Sequence, residues 1–212
     1  MTLPNRITMG RMGLSLAIFA FIITHTLWAE IVALVLLTIA AISDGVDGAI
    51  ARRTGTTTPF GAIADPFADK LLIMSVFLSF ASLNELQIPI WAVFLILLRE
   101  LTISTLRVLA GLNGVALKAE RAGKIKTTIQ LTSAFIILVL LILSMWSKVQ
   151  VLPRVLEYLG TLAGQAGWWL TVITAFFTVI SGAIYLYNHR ELISKSWNEG
   201  GEKQNNSAPK GS

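Results

Sequence analysis

Four aspartates occur close together within stretches that are otherwise apolar. They are the only aspartates in the chain: Asp44, Asp47, Asp65 and Asp69. Inside a bilayer each ionised side chain costs roughly 2.5–3.5 kcal/mol, even on the lenient insertion scale. Four neighbouring carboxylates therefore need neutralisation, and Mg²⁺ or Mn²⁺ prefers such oxygen ligands. The pattern predicts metal-assisted chemistry at the edge of a membrane.

Helical spacing would place these carboxylates on shared faces. Asp44 and Asp47 lie three residues apart, and Asp65 and Asp69 lie four apart, so each pair shares a helix face. A short hairpin near Arg53–Phe60 would bring the two faces together into one polar cavity. Two ions held there could bridge a diphosphate and stabilise both the attacking and the leaving oxygen.

A simpler interpretation is that the aspartates form salt bridges at helix ends. Arg52, Arg53 and Lys70 are the available cations. A single interfacial aspartate would favour that interpretation. Four in this spacing, beside small residues and inside apolar helices, favour a metal site instead.

The composition is that of an integral membrane protein. The 212 residues are 54% hydrophobic and only 14% charged, with a mean hydropathy of +0.70, whereas a soluble domain carries roughly 25% charged residues. Cysteine is absent, which excludes disulfides, thiolate metal sites and cysteine nucleophiles. The net charge of +5 does not come from one basic arm, so no nucleic-acid partner is predicted.

Six apolar stretches predict an all-α integral membrane fold with six transmembrane helices. They lie near residues 10–28, 31–52, 65–84, 88–110, 124–146 and 168–190. Between the last two, Pro153–Ala163 predicts a short helix on the outer surface, with a flexible turn at Gly160 and Gly164. Residues 1–194 are expected to form the membrane domain, and the polar residues 195–212 a disordered tail.

The basic residues predict the orientation. With six spans, only Lys148 and Arg154 of the 17 lysines and arginines would lie on one side. The rule that positive charge stays inside then puts both termini in the cytoplasm, in a multi-pass protein of the cell (inner) membrane. The cavity of the four aspartates is therefore expected to face the cytoplasm.

Eight residues and the spacings between them resemble the signature of the CDP-alcohol phosphotransferases: Asp44-x2-Asp47-Gly48-x2-Ala51-Arg52-x8-Gly61-x3-Asp65-x3-Asp69. The resemblance implies a six-helix membrane enzyme, usually a homodimer. Such enzymes transfer a substituted phosphate group from a CDP-linked donor to an alcohol and release CMP. It also implies that the four aspartates bind two ions, Mg²⁺ or Mn²⁺, and that Asp69 is the general base. The donor, CDP-diacylglycerol, would contact Asn5, Thr8, Gly48, Ala51, Arg52, Thr58 and Gly61.

Several cations beside a diphosphate site suggest an anionic second substrate. Positive-inside topology alone explains Lys118 and Arg121, but it explains Arg107 poorly because that residue lies within a span. Three further motifs resemble the bacterial phosphatidylglycerophosphate synthase branch, whose acceptor is glycerol 3-phosphate: Leu3-Pro4-Asn5-x2-Thr8-x2-Arg11, Arg99-Glu100 with Arg107, and Gly123-Lys124-Ile125-Lys126-Thr127-x2-Gln130. The acceptor would contact Arg11, Arg107, Lys124 and Lys126. The first motif is expected to lie on a short N-terminal interfacial helix.

Two alternatives remain open at this point. A sister enzyme of the same family would use another acceptor, such as inositol phosphate or serine. A divalent-cation carrier would use the aspartates as an ion path, but it predicts acidic residues on several spans. The outer half contains only Glu30, Glu85 and Glu157, which disfavours the carrier.

Overall fold

The computed structural model describes residues 3–54, 59–112, 121–149 and 153–190, and these residues are helical apart from short connections. The elements are α1 (Leu3–Thr24), α2 (Leu27–Thr54), α3 (Pro59–Ser82), a 3₁₀ helix (Asn84–Leu86), α4 (Ile90–Leu112), α5 (Arg121–Val149) and α6 (Pro153–Asn188). The all-α prediction is confirmed for this part of the chain.

A tight turn joins α1 to α2. His25 has a left-handed backbone, with φ of 50°, and this conformation ends α1. Thr26 then caps α2, because its Oγ1 accepts a hydrogen bond of 3.4 Å from the Ala29 backbone N–H. The two helices consequently run in opposite directions.

One end of the bundle, called here the Glu85 end, gathers the turns. His25 Nε2 lies 3.6 Å from Glu85 Oε2, so the α1–α2 turn and the α3–α4 connection lie at the same end. The 3₁₀ helix packs on α6 there. A Cβ added at Gly164 would lie 2.9 Å from the Glu85 carbonyl oxygen, and one at Gly167 would lie 2.9 Å from that of Leu86.

The opposite end is called the Glu100 end. It brings together the middle of α3 and of α4 with the beginning of α5 and the last part of α6, through contacts described in the next subsection. Between the two ends, the core is apolar and includes Ile18, Phe77, Ile96 and Leu138, all fully buried. Phe77 and Phe80 pack edge to face, with ring centroids 6.3 Å apart.

Large apolar side chains are exposed on the surface, and small polar side chains are buried between helices at some positions. Phe94, Trp169 and Phe176 are exposed, whereas Ser133 and Thr174 are buried and hydrogen-bonded to each other at 3.0 Å between α5 and α6. Small hydroxyl residues between helices beneath an apolar exterior are typical of helix packing in lipid. Within the described residues, two helical stretches are long and apolar enough to cross a membrane, Gly123–Ser147 and Tyr158–Asn188. Together with the composition, these features characterise a membrane protein.

Three expectations from the sequence need correction. The separate surface helix at Pro153–Ala163 is wrong, because α6 is one helix from Pro153 to Asn188. The flexible turn at Gly160 and Gly164 is wrong for the same reason. The glycines lower the apolar signal, but they allow α6 to approach its neighbours closely.

The N-terminal interfacial helix is likewise not a separate element. The helix α1 is continuous from Leu3 to Thr24, so the first motif and the first apolar stretch share it. The boundary at residue 194 and the tail 195–212 lie outside the described residues, and both remain predictions.

Candidate active site

The aspartates lie on the two helices that the sequence indicated. Asp44 and Asp47 belong to the last part of α2, and Asp65 and Asp69 to the first part of α3. Only residues 55–58 separate Thr54 from Pro59, and because these four residues lie outside the described ones, the hairpin expected near Arg53–Phe60 stays a prediction. The four side chains, and hence their distances, lie outside the described residues.

The donor-binding predictions fall on the same segments. Thr8 is described in full: it lies on α1 and is buried, and α1 packs against both α2 and α3. The other predicted donor residues are described only by their helix or not at all. Asn5 lies on α1, Gly48, Ala51 and Arg52 lie on α2, Gly61 lies on α3, and Thr58 lies outside the described residues.

A buried carboxylate organises the Glu100 end. Glu100 on α4 is 0% exposed, and its Oε1 accepts hydrogen bonds from Lys126 Nζ and, at 3.1 Å, from Gln130 Nε2 on α5. Lys70 Nζ on α3 lies 3.3 Å from the other oxygen, Oε2, in an ionic contact. Arg99 Nη1 lies 3.5 Å from Oε1. One carboxylate therefore joins α3, α4 and α5 through charged contacts.

The network continues to α6. Gln130 Nε2 is also 3.4 Å from Thr178 Oγ1, and Arg99 donates a hydrogen bond of 3.0 Å from Nη2 to Ser181 Oγ. Buried charges are tolerated when they are paired and hydrogen-bonded in this way. The Glu100 end is thus a polar, charged junction of four helices.

The cations expected at an acceptor occupy different environments. Lys126 is only 3% exposed and is engaged by Glu100, whereas Lys124 on the same helix is exposed. Arg107 on α4 is exposed and lies over the ring of Tyr185 on α6, with Cζ 5.9 Å from the centroid. Arg11 lies half-buried on α1. Lys126 and Arg107 therefore both belong to the Glu100 end.

Lys70 connects this junction to the aspartate segment, because it follows Asp69 directly on α3. Because Lys70 and Lys126 both contact Glu100, the middle of α3 lies near the beginning of α5, where Lys124 also lies. Four carboxylates on α2 and α3 are a donor set that suits hard divalent cations. The arrangement combines candidate metal ligands with cations suited to a phosphate.

Comparison with known families gives a match over most of the chain. The model of the CDP-alcohol phosphatidyltransferase family matches residues 1–180. The chain belongs to this family. The match includes α1 to α5 and most of α6, and so covers the aspartates together with Glu100, Lys70, Lys126 and Gln130.

Individual CDP-alcohol phosphatidyltransferases are similar over most of their length. A Rickettsia felis protein named CDP-diacylglycerol–glycerol-3-phosphate 3-phosphatidyltransferase is 36% identical over 185 residues, which is 86% of this chain and 92% of the relative. A Bacillus subtilis protein of the same name is 29% identical over 206 residues, or 92% of this chain and 98% of the relative.

Sequence reasoning assigned no role to two residues that the structure brings together at the Glu100 end. Glu100 was noted only within a motif, and Lys70 only as a possible salt-bridge partner of the aspartates. A usable signal was present, since an acidic residue inside an apolar span requires a partner. Lys126 and Gln130, four residues apart on one helix face, were suitable candidates.

Proposed function

We propose that this protein is a CDP-diacylglycerol–glycerol-3-phosphate 3-phosphatidyltransferase. It transfers the phosphatidyl group of CDP-diacylglycerol to glycerol 3-phosphate, giving phosphatidylglycerophosphate and CMP. Membership of the family and relatives of that name at 29–36% identity over most of both chains support the reaction. The contact of Lys70 and Lys126 with Glu100 is the structural observation that carries the proposal, because it joins the aspartate-bearing helix to the cation-bearing one.

The membrane arrangement proposed here has six spans, with both termini and the Glu100 end on the cytoplasmic side of the inner membrane. The asymmetry of lysine and arginine supports this orientation. The soluble substrate and the leaving CMP would then exchange with the cytoplasm, while the acyl chains of the donor remain in the bilayer. A homodimer is proposed as the assembly, as the resemblance implies.

The metal centre is proposed to consist of Asp44, Asp47, Asp65 and Asp69 with two ions, Mg²⁺ or Mn²⁺. The donor set supports it, because carboxylate oxygens shared with substrate phosphates are the usual ligands of such ions. When bound, the ions would neutralise charge on the diphosphate and on the leaving group.

Asp69 is proposed as the general base. It accepts the proton of the glycerol 3-phosphate hydroxyl, and that oxygen attacks the β-phosphorus of the donor in line. A phosphorus–oxygen bond forms to the acceptor as the bond to CMP breaks. The spacing of Asp69 supports this role, since it follows Asp65 by four residues on α3 and the two would share one helix face.

Substrate binding is proposed for the remaining polar residues. The donor would contact Asn5, Thr8, Gly48, Ala51, Arg52, Thr58 and Gly61, and the acceptor phosphate would contact Arg11, Arg107, Lys124 and Lys126. Lys126 is buried against Glu100, so its contact with the phosphate requires the acceptor to enter the Glu100 end, where donors of the ammonium group beyond the one that Glu100 engages would bind it.

An acceptor comparison tests the proposal. Purified protein with CDP-diacylglycerol should release CMP rapidly with glycerol 3-phosphate and far more slowly with serine, inositol or inositol phosphate. A preference for one of the other acceptors would move the protein to a sister activity within the same family. Metal flux into liposomes without CMP formation would instead indicate a carrier.

A further inference from the structure

Glu100 is a buried charge that the proposed reaction does not use. It is fully buried, and four polar or charged side chains surround it: Lys70, Arg99, Lys126 and Gln130. Three of these are cations, so the carboxylate is held by charge as well as by hydrogen bonds. Burial of a carboxylate within an apolar helix is unfavourable in free energy unless the charge is paired. The number of polar and charged partners around Glu100 indicates that its side chain does more than fill space in the core.

The position of each partner along its helix suggests that role. Lys70 directly follows Asp69, the proposed base, and Lys126 lies two residues after Lys124, a proposed acceptor ligand. Glu100 thus joins the segment that carries the base to the segment that carries the acceptor cations. Gln130 Nε2 donates a hydrogen bond to Glu100 Oε1, the oxygen that Lys126 also contacts, and it lies close to Thr178 Oγ1 on α6. Through Gln130, a fourth helix therefore also restrains the carboxylate.

We propose that Glu100 is a positioning residue for glycerol 3-phosphate, acting through Lys126 and Lys70. Its carboxylate supplies the counter-charge that a buried ammonium requires and orients the Lys126 Nζ, whose remaining donors then face the acceptor phosphate. The proposal rests on the proposed function, because it assumes an anionic acceptor at this end.

The Glu100→Gln substitution provides the main test. Glutamine keeps the size of the side chain but removes the counter-charge. The KM for glycerol 3-phosphate should rise about tenfold or more, because charge-assisted contacts to the acceptor are weakened. The KM for CDP-diacylglycerol should stay within about twofold. A merely structural role predicts a different result, since a smaller folded fraction lowers kcat and leaves both KM values unchanged.

A second variant keeps the test valid if Glu100→Gln does not fold. Glu100→Asp retains the charge, so the buried cations keep a partner, but it withdraws the carboxylate by one methylene. It should raise the KM for glycerol 3-phosphate about threefold to tenfold, again without changing that of the donor. An unchanged acceptor KM in folded Glu100→Asp protein overturns the proposal.

A double substitution tests whether Glu100 acts through Lys126. Lys126→Gln alone should raise the acceptor KM, and adding Glu100→Gln should change it by less than about threefold, because the two effects share one pathway. Effects that multiply instead would overturn the proposal. The matched control is Glu85→Gln, which removes a carboxylate at the opposite end and should leave both KM values at wild-type level.

Assays of the wild-type protein distinguish a failure of the proposed function from a failure of the role proposed for Glu100. If the wild-type protein does not use glycerol 3-phosphate, the proposed function itself fails. If it does, and Glu100→Gln leaves the acceptor KM unchanged, only the positioning role of Glu100 fails.

Discussion

Arg107 lies over the ring of Tyr185, with its guanidinium carbon 5.9 Å from the ring centroid. The tyrosine is buried on α6, whereas the arginine is exposed on α4. A cation over an aromatic face is stabilised there by the ring quadrupole. The contact therefore restrains an arginine that remains accessible to a soluble anion.

Replacement of Arg107 tests its proposed contact with the acceptor phosphate. Arg107→Ala should raise the KM for glycerol 3-phosphate by about tenfold or more, since such contacts contribute roughly 1.5–3 kcal/mol each. The KM for CDP-diacylglycerol should change little. Arg107→Lys should rescue only part of the loss, because lysine lacks the planar fork of arginine. Steady-state kinetics with each substrate varied in turn measures both values.

Arg190 provides a matched control for Arg107. It also lies over a tyrosine ring, with its guanidinium carbon 4.3 Å from the Tyr187 ring centroid, and it follows the last residue of α6 by two positions. Arg190→Ala removes one positive charge from the same end and should leave acceptor kinetics unchanged. Equal effects of the two substitutions would indicate a general role of positive charge rather than a phosphate site at Arg107.

The metal prediction concerns Asp44 and Asp65. Asp44→Asn or Asp65→Asn should abolish turnover, because each removes a carboxylate ligand from the proposed two-ion site. The variants should remain folded, since removal of an intramembrane charge is not by itself destabilising in metal-free protein. Assays of wild-type protein with graded Mg²⁺ or Mn²⁺ should show an absolute requirement. Full activity in excess chelator is the result that would reject the metal centre.

A separate prediction distinguishes the base from a simple ligand. Asp69→Asn should reduce kcat far more than it weakens donor binding, because a general base contributes mainly in the transition state. Donor affinity can be measured by equilibrium binding of CDP-diacylglycerol in detergent. Comparable losses in affinity and rate would leave Asp69 as a metal ligand only.

Two glycines on α6 allow a test of packing. A Cβ at Gly164 would lie 2.9 Å from the Glu85 carbonyl oxygen, whereas one at Gly160 would lie 3.4 Å from the rotatable Ser144 Oγ. Gly164→Ala should lower the free energy of unfolding by about 1–3 kcal/mol, because backbone atoms must shift. Gly160→Ala should be neutral or stabilising by up to ~1 kcal/mol, since alanine favours helix. Denaturation in detergent compares them, and equal stability would contradict the close contact.

The sequence allowed the helices to be predicted but not their ends. Hydropathy detects only the apolar part of a helix, so the first span was expected from residue 10, with a separate short helix before it, although α1 is continuous from Leu3. The break between α1 and α2 was expected near residue 30, but the left-handed His25 and the Thr26 cap place it earlier. Threonine before an acidic residue in the first turn, Glu30, was the available signal.

In the candidate site, too, the local sequence pattern could be interpreted, whereas the contacts between helices could not be predicted. The spacing of the aspartates is a local pattern, and it was sufficient to identify the family. An acidic residue inside an apolar span indicates that Glu100 needs a partner, but which side chains pair with it depends on how α3, α4 and α5 are rotated against one another. For this reason Lys126 was expected to be an open phosphate ligand, and its burial against Glu100 was not foreseen.

The most direct test of the reaction follows labelled glycerol 3-phosphate into lipid. Purified protein in CDP-diacylglycerol vesicles with Mg²⁺ should convert the label into phosphatidylglycerophosphate and release one CMP for each lipid formed. Asp69→Asn protein under identical conditions provides the blank. CMP release without incorporation of the label, or incorporation that does not depend on CDP-diacylglycerol, would contradict the proposed transfer.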